Sequence, residues 1–238
     1  MKNLENPLCE VCSARPRSFF CDLEPFDLLE VSINKTYNFY KKGQIVFYEG
    51  KRPLGIYCLN SGKIKITKNG VNGKEQIVRF VMPGDLLGIR SLIGGREYSA
   101  CATTLEDSMI CFIDKKIFLD ILKKYPEINQ CLMISLSRML EEAENMMTSL
   151  AQKPVRERLA EALIILNDIF NGENNTHEAK NFSICLSRED LANIVGTATE
   201  TVIRLLSEFK EENLISANGR KITLLDIKGI KKAGNIFD

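Results

Sequence analysis

The chain has 238 residues, 45% of them hydrophobic, which is enough for a real core in one or two domains. Its formal net charge of +1 excludes a global basic field, so any binding of nucleic acid has to come from local placement of charge. No run approaches the roughly 18 consecutive apolar residues of a membrane span, and the N-terminus lacks the apolar segment of a secretory signal. We therefore expect a cytoplasmic protein without a membrane partner.

Three of the eight cysteines, Cys9, Cys12 and Cys21, lie close together near the N-terminus. In a reducing cytosol, this number of cysteines favours metal binding, redox chemistry or burial over a disulfide framework. The C-x2-C pair of Cys9 and Cys12 can chelate one metal site, although this pattern alone is not specific.

Between about residues 37 and 113, short β-branched or aromatic runs end in turn residues, for example QIVFYEG and KIKITKNG. Gly62, Gly73 and Gly84 recur at an 11-residue spacing. Regular short strands separated by glycine turns predict an antiparallel β-roll or sandwich.

A long helix is predicted next, with Pro126 in its first turn, where the missing N–H has no helical partner to lose. Alternating spacings of four and three residues define an apolar heptad seam on this helix. The seam consists of Leu132, Leu136, Met139, Ala143, Met146 and Leu150. A second copy of the chain is the simplest partner, which predicts a dimerisation helix; the alternative is an ordinary helix lying on its own domain. Pro154 interrupts the pattern, so we expect three segments, at residues 1–125, 126–153 and 154–238.

Two short helices are predicted in the C-terminal segment. Ser187 is a good N-cap for the first helix, and Gly196 can end it in a left-handed turn. Thr197 and Glu200 form an S/T-x-x-E box, which opens a second helix that runs to about Asn213. Two short helices around a glycine turn are typical of a helix-turn-helix.

The pair Asn218-Gly219 between two alternating runs predicts a β-hairpin, which would make the module a winged helix-turn-helix. In such a module the second helix enters the major groove of DNA by its N-terminal end. The groove-facing candidates are Thr197, Thr199, Glu200, Ile203 and Arg204. The candidate phosphate contacts are Arg188, Lys210, Arg220 and Lys221. The alternatives are that Glu200 only caps the helix, that Arg204 only pairs with a neighbour such as Glu200, and that the other basic residues are solvated.

Over nearly its whole length the chain resembles the Crp/Fnr family of bacterial transcription regulators. The blocks KKGQIVFYEG, GDLLG, LEDSMICFI, RERLA and TATETVIRLL occur in the family's order and spacing. The resemblance implies an α+β fold with an N-terminal antiparallel β-roll (a cyclic-nucleotide-binding-like jelly roll), a long dimerisation helix and a C-terminal winged helix-turn-helix. It also implies a homodimer that reads a palindromic site in double-stranded DNA and recruits or blocks RNA polymerase. The family's recognition-helix glutamate and arginine fall on Glu200 and Arg204, whereas Ile203 stands where the Fnr branch commonly has serine.

The family's cyclic-nucleotide receptors bind the ribose through a glutamate and the cyclic phosphate through an arginine. In the matching stretch GIRSLIGGREYSA, Ile89 stands at the glutamate position and Tyr98 at the arginine position. A phosphate without its guanidinium loses its best bidentate partner, so cyclic AMP is not expected. Arg90 and Arg96 lie nearby in the sequence and leave another anion open.

The Fnr branch carries an oxygen-labile four-iron four-sulfur cluster. The resemblance places its ligands at Cys9, Cys12, Cys21 and Cys111, the last in the block LEDSMIC. The eight residues between Cys12 and Cys21 make a longer gap than the Fnr pattern has, and Cys101 competes with Cys111 as fourth ligand. Zinc or a simple thiol role is the alternative to a cluster. The cysteines predicted to be buried core residues are Cys58, Cys131 and Cys185.

An enzyme is not expected, because the sequence has no P-loop and no nucleophile elbow, and its one histidine, His177, falls in a polar loop where it is expected to be solvated. A ligand-sensing subunit without a DNA role would use the same roll, but the winged helix argues against it. Within the DNA-binding interpretation, the alternative to a cluster is a regulator that another ligand of the roll switches, or one that is constitutive.

Overall fold

The computed structural model describes residues 8–70, 73–171 and 183–236. The predicted polar loop with His177 lies outside these residues. The chain divides into two compact units, residues 1–140 and 141–238, and the dividing point falls inside the long helix. The division into three segments at residues 125 and 153 stays a prediction.

Two short 3-10 turns, Cys9–Val11 and Arg15–Arg17, precede the first helix. The strands are β1 (Thr36–Tyr40), β2 (Ile45–Phe47), β3 (Gly55–Ser61), β4 (Ile64–Asn69), β5 (Glu75–Val81), β6 (Leu86–Leu87), β7 (Cys101–Thr104), β8 (Ser108–Asp114), β9 (Ile184–Cys185), β10 (Ile215–Asn218) and β11 (Lys221–Leu224). The helices are α1 (Pro25–Asn34), α2 (Ile89–Ile93), α3 (Lys115–Lys124), α4 (Pro126–Gln152), α5 (Val155–Asn171), α6 (Arg188–Val195), α7 (Thr199–Glu211) and α8 (Ile227–Ala233).

The strands of the first unit form two four-stranded antiparallel sheets, which confirms the predicted roll. The strand orders are β1-β8-β3-β6 and β2-β7-β4-β5. Side chains alternate between the two faces of a strand, so each sheet turns one apolar face toward the other. Leu59 and Ile110 of the first sheet share a buried core with Ile64 and Ala102 of the second.

A second core lies on the outer face of the first sheet. Ile56 and Ile113 on that face are buried with residues of α1, α3 and the start of α4. Phe20 and Leu23 of the N-terminal segment belong to the same core. Each buried side chain of this size stabilises the fold by about 1.5–3 kcal/mol. Phe20 and Leu23 therefore pack the N-terminal segment onto the roll directly before α1.

Helix α4 buries only one side of its N-terminal half, and Pro126 is its first residue, as predicted. Leu132 is buried in the outer core and Leu136 packs against it, while Arg79 Nη1 lies 3.2 Å from the sulfur of Met139. The Leu132 and Met139 part of the predicted seam therefore contacts the chain's own roll. The sequence could not show this, because the heptad pattern does not say which of two neighbouring apolar rows the roll covers.

The exposed apolar row on α4 is displaced by one residue from the predicted row. Met133, Leu140 and Met147 are 62%, 62% and 64% exposed and repeat every seven residues. Together with Leu136, Ala143 and Leu150 of the predicted seam, they restore the alternating spacing of three and four residues.

The second unit is built around α5, whose residues Leu159, Leu163 and Leu166 are fully buried. After α6 and α7 in the chain, β10 and β11 pair in an antiparallel hairpin, and β9 adds a third strand beside β11. This arrangement confirms the predicted winged helix-turn-helix.

The prediction that three further cysteines are core residues is wrong for Cys131 and Cys185, which are exposed. Cys58 is half-buried and packs against the outer core. An apolar run on a helix or strand contains residues of both faces, and a neighbour takes the buried position in each run. Leu132 does so beside Cys131, and Ile184 does so beside Cys185.

Candidate functional sites

Helix α7 has one buried and one exposed face. Val202, Leu205, Leu206 and Phe209 are buried and anchor the helix from inside. The exposed positions, three or four residues apart, are Glu200, Ile203, Arg204 and Ser207. The helix thus presents polar side chains and Ile203 outward from a rigid apolar base.

The start and end of α6 follow the prediction, whereas the start of α7 does not. Ser187 caps α6 by accepting the Asp190 backbone N–H, and Gly196 ends that helix at a φ of 71°, in the left-handed region that glycine tolerates best. Ala198, and not Thr197, is the N-cap of α7, and no side chain bonds to this helix end. Thr197 instead donates its backbone N–H to the Ala192 carbonyl, at 3.1 Å, so the predicted capping box does not form.

Arg204 pairs with Glu208, one turn further along α7, at 2.5 Å, and not with Glu200. Glu208 also accepts a hydrogen bond from Arg156 at 3.0 Å. An exposed i,i+4 pair contributes only about 0.3–0.5 kcal/mol, so Arg204 can leave Glu208 for a stronger acceptor at small cost. Glu200 stands exposed in the first turn of the helix.

The remaining candidates lie around this helix. Thr199 is half-buried at its first position, and Lys210 is exposed in its last turn. Arg220 and Lys221 are exposed on the hairpin. Since Asn218 pairs with Lys221, the two loop residues are Gly219 and Arg220, one position later than predicted, and Gly219 supplies the positive φ of 56°.

Arg188 does not stand free on the surface as a solvated charge would. It is half-buried, and its Nη1 atom has no hydrogen-bond partner among the described residues. Burial lowers its pKa from the ordinary value of an arginine. A buried guanidinium nitrogen without a partner is costly, and an anion would satisfy it.

Four thiols line one cavity between the N-terminal segment and the first sheet of the roll. They belong to Cys9, Cys12, Cys58 and Cys111. Sulfur donors of this kind suit iron–sulfur clusters and zinc, both of which prefer thiolates. Within the described ranges, no three His, Cys, Asp or Glu side chains stand at metal-binding positions as the side chains are placed.

Hydrogen bonds tie the first two cysteines to the walls of this cavity. The Cys9 backbone N–H donates to Ser32 Oγ at 2.9 Å, and Lys35 Nζ donates to Cys9 Sγ at 3.2 Å. Asn60 Nδ2 donates to Cys12 Sγ at 3.1 Å. Both sulfur atoms therefore accept a hydrogen bond from a side chain in the wall of the cavity.

Burial sets the acidity of the deeper thiols. Desolvation raises the pKa of Cys111 to about 11, although the Lys35 ammonium acts in the opposite direction. Burial raises the pKa of Cys58 even further from its usual value, with the neighbouring thiols adding to the effect. A bound metal ion would reverse this preference, because its positive charge deprotonates a coordinating thiol.

Two other cysteines considered as ligands lie elsewhere. Cys21 is half-buried outside the cavity, and its Sγ donates to Asp22 Oδ2 at 3.2 Å. Cys101 lies on β7 of the second sheet, where its sulfur accepts the Glu49 backbone N–H at 3.3 Å. The structure therefore brings together three of the four expected thiols and adds Cys58.

Comparison with known proteins identifies the family. Residues 37–125 match the cyclic nucleotide-binding domain, and residues 157–233 match the Crp-like helix-turn-helix domain. The chain is 30% identical to the transcriptional activator protein Anr of Pseudomonas protegens, over 92% of this chain and 88% of that protein. The chain belongs to the Crp/Fnr family. It is a transcription regulator with a DNA-binding helix-turn-helix, and not an enzyme.

Other Crp/Fnr proteins agree with this assignment. The fumarate and nitrate reduction regulatory protein of Vibrio cholerae is 32% identical, over 78% of this chain and 73% of its own. An anaerobic regulatory protein of Haemophilus influenzae is 30% identical, over 87% and 81%. The solved structure of FixK2 from Bradyrhizobium japonicum superposes with a TM-score of 0.71 at 23% identity, over 84% of this chain and 96% of that one, which supports the fold.

The roll of this Crp/Fnr chain contains a second cavity. Phe47 and Tyr98 stack in its wall with their ring centres 4.0 Å apart, and Ile89 lines it as well. Arg79 and Arg90 contribute the basic groups of its lining. The two positions that resemble the nucleotide-binding glutamate and arginine are thus occupied by buried apolar and aromatic side chains.

Sequence reasoning missed Cys58, Lys35 and Asn60 as parts of the thiol cavity. The signal for Cys58 and Asn60 was their spacing of two residues on one strand, which places both side chains on the same face. Lys35 carried no signal, because a lysine directly after a helix normally lies in solvent. None of the helices among the described residues combines the length and apolar character needed to cross a membrane.

Proposed function

We propose that the chain acts in the cytoplasm as a homodimeric, sequence-specific transcription regulator that responds to oxygen, nitric oxide or redox state through its thiols. The observation that carries this proposal is the cavity that Cys9, Cys12 and Cys111 line together. The names of the relatives in Vibrio and Haemophilus, which refer to fumarate and nitrate reduction and to anaerobic regulation, support the same signal.

Cys9, Cys12 and Cys111, with one further thiol, would hold a four-iron four-sulfur cluster. Bound there, the cluster would supply an oxygen-labile link between the N-terminal segment and β8. Zinc in the same thiols is the alternative occupant. Cyclic AMP is not expected as the effector, since Tyr98 stands where the family's receptors have their phosphate-binding arginine.

A signal at the cavity has a physical route to the dimer helix. Lys35 and Ser32, which contact Cys9, stand at the end of α1 and just after it. Asp27 on the same helix accepts hydrogen bonds from Lys124 Nζ at 2.7 Å and from the Tyr125 hydroxyl. These two residues directly precede Pro126, the first residue of α4. A change in the hydrogen bonds of Ser32 and Lys35 to Cys9 can therefore reach the first residue of α4 through α1.

The exposed row of Met133, Leu140 and Met147 would pack against its counterpart in a second copy. A dimer of this kind presents two α7 helices to successive major grooves, about 34 Å apart, on a palindromic site in double-stranded DNA. Bound there, the protein would recruit or block RNA polymerase.

The test begins with protein purified without oxygen, on which the visible absorbance, iron and acid-labile sulfide are measured. We expect about four irons per chain, absorbance that bleaches in air, and DNA affinity that falls on bleaching by roughly 5- to 150-fold, the usual range for coupled sites. The DNA is a palindromic site selected from a random library by the anaerobic protein.

The variant Cys111→Ser should lose both the absorbance and the anaerobic DNA affinity, whereas Cys185→Ser, at an exposed thiol, should keep both. Anaerobic DNA binding by Cys111→Ser at the level of the unsubstituted protein would contradict the coupling. A protein that stays free of iron after reconstitution would favour the second candidate, a regulator switched by an anion in the Arg79 and Arg90 cavity.

A further inference from the structure

We infer that Cys58, and not Cys21, is the fourth thiolate of the metal site. This inference rests on the proposed function, because it names the ligands of the group through which the protein would sense its signal. It departs from the ligand set that the family resemblance implies.

The strand register places Cys58 beside Cys111. Cys58 on β3 and Cys111 on β8 are direct cross-strand partners in the antiparallel sheet. The Cβ atoms of such a pair lie roughly 4.5–5.5 Å apart, and both side chains leave the same face of the sheet. This face is the outer one, since Ile56 and Ile113, two residues away on the same strands, are buried in the outer core. The sheet therefore fixes two thiols side by side without any help from the loop.

The C-x2-C pair shares a cavity with these two strand thiols. Cys9 and Cys12 line the same cavity as Cys58 and Cys111. Asn60, which donates to Cys12 Sγ, is two residues beyond Cys58 on the same face of β3. The hydrogen bond thus brings the Cys12 sulfur to the strand that carries Cys58. Four sulfur donors from two structural sources then surround one space, which is the number that both clusters and structural zinc need.

The long gap after Cys12 is held in place by hydrogen bonds within the segment. The 3-10 turn Arg15–Arg17 is closed by Ser18, whose hydroxyl donates to the Arg15 carbonyl at 2.9 Å and accepts the Phe20 N–H at 3.2 Å. Arg15 Nη2 donates to the Cys21 carbonyl at 3.1 Å. The segment around Cys21 is therefore held in a defined turn.

The side chains on either side of Cys21 decide its direction. Phe20 and Leu23 are buried in the outer core, and Phe20 itself lines the thiol cavity. Cys21 follows directly after this anchor and turns its thiol to Asp22. Cys21 does not line the cavity, because its thiol is directed to Asp22, whereas Cys58 already lines it.

The experiment compares Cys58→Ser with Cys21→Ser in the full chain. Each protein is purified and reconstituted without oxygen, and iron and sulfide per chain are measured beside the visible spectrum. We expect Cys58→Ser to retain less than one tenth of the iron of the unsubstituted protein, and Cys21→Ser to retain all of it. The reverse result, with iron lost from Cys21→Ser and kept by Cys58→Ser, would overturn the inference and leave the proposed function intact.

A second measurement separates ligation from folding. Metal-free protein is titrated with Co²⁺, whose sulfur-to-metal absorbance grows with the number of thiolates bound. Cys58→Ala and Cys58→Ser should give the absorbance of three thiolates, and Cys21→Ala that of four, while all variants show the unfolding transition of the parent. Equal absorbance for Cys58→Ala and the parent would overturn the inference. An unsubstituted protein that takes up neither iron nor Co²⁺ would remove the proposed metal site itself, and with it the inference.

Discussion

The thiol cavity and the exposed face of α7 are built in opposite ways. The cavity collects its thiols from three distant parts of the chain, the N-terminal segment, β3 and β8. The α7 face is formed by one continuous helix, which is anchored by a buried inner side and turned outward. The only ion pair on this face that the described residues show is the weak exposed pair of Arg204 with Glu208. The polar side chains of the face are therefore accessible to DNA. A sensing site needs enclosure to control its reactivity, whereas a reading site needs accessible groups on a rigid base.

The strongest test of this comparison removes the base of the reading face. Phe209 is fully buried, and the guanidinium of Arg156 lies 4.7 Å from its ring centre. We expect Phe209→Ala to destabilise the C-terminal unit by about 3–5 kcal/mol, as removal of a buried aromatic ring does. DNA binding should be lost while the metal content per chain is kept. Phe26→Ala, at a side chain that is 76% exposed, is the control and should change stability by less than about 0.5 kcal/mol. Loss of metal together with DNA binding would show that the two regions do not fold independently.

The next test concerns α4, where either of two neighbouring apolar rows could form the proposed dimer seam. Met147 belongs to the exposed row, and Met146 belongs to the row that the heptad pattern predicts. We expect Met147→Asp to weaken dimerisation by about 2–3 kcal/mol, since each copy loses a buried apolar side chain and gains a charge. Met146→Asp, the matched control, should have the smaller effect. Sedimentation equilibrium measures both, and a larger effect for Met146→Asp would return the seam to the predicted row.

The reading face itself is tested by two arginines with different expected roles. Arg204 points outward from α7, and loss of a good bidentate base contact costs about 1–3 kcal/mol, or roughly 5- to 150-fold in affinity. Arg204→Ala should therefore weaken binding to the selected site and relax preference at one base pair. Arg220→Ala, on the hairpin, should weaken all sequences alike and reduce the salt dependence by about one counterion. Equal losses on specific and non-specific DNA for Arg204→Ala would assign it to the phosphates.

The same contrast explains what could be predicted from the sequence. The winged helix-turn-helix follows from residues close together in the chain, such as Ser187 and Gly196, whose effects are local. The fourth member of the cavity, Cys58, depends on which strands pair and in which register, and register is a non-local property. For the same reason the sequence could not show which apolar row of α4 stays exposed, because the roll covers part of one row and leaves the next exposed. Thr197 was misassigned by a single residue, which is the usual precision of a predicted helix end.

The smallest expected effect concerns the contact from α1 to the residues before α4. The hydrogen bonds from Lys124 and Tyr125 hold the pKa of the Asp27 carboxyl below its ordinary value of 3.8. A group with a lowered pKa in the folded state stabilises the fold at every pH above its unfolded value, and this contribution disappears as the pH falls through the lowered one. Asp27→Asn should thus lower the unfolding temperature of the metal-free protein by a constant amount between pH 7 and pH 5. The difference should then narrow as the pH falls below about 4. Because Lys124 is 58% exposed, solvent weakens the pair, and we expect a small shift. Thermal unfolding of both proteins at pH 7, at pH 5 and below about pH 4 measures this shift. A difference in unfolding temperature that is the same at all three would mean that the contact acts by packing and not by charge.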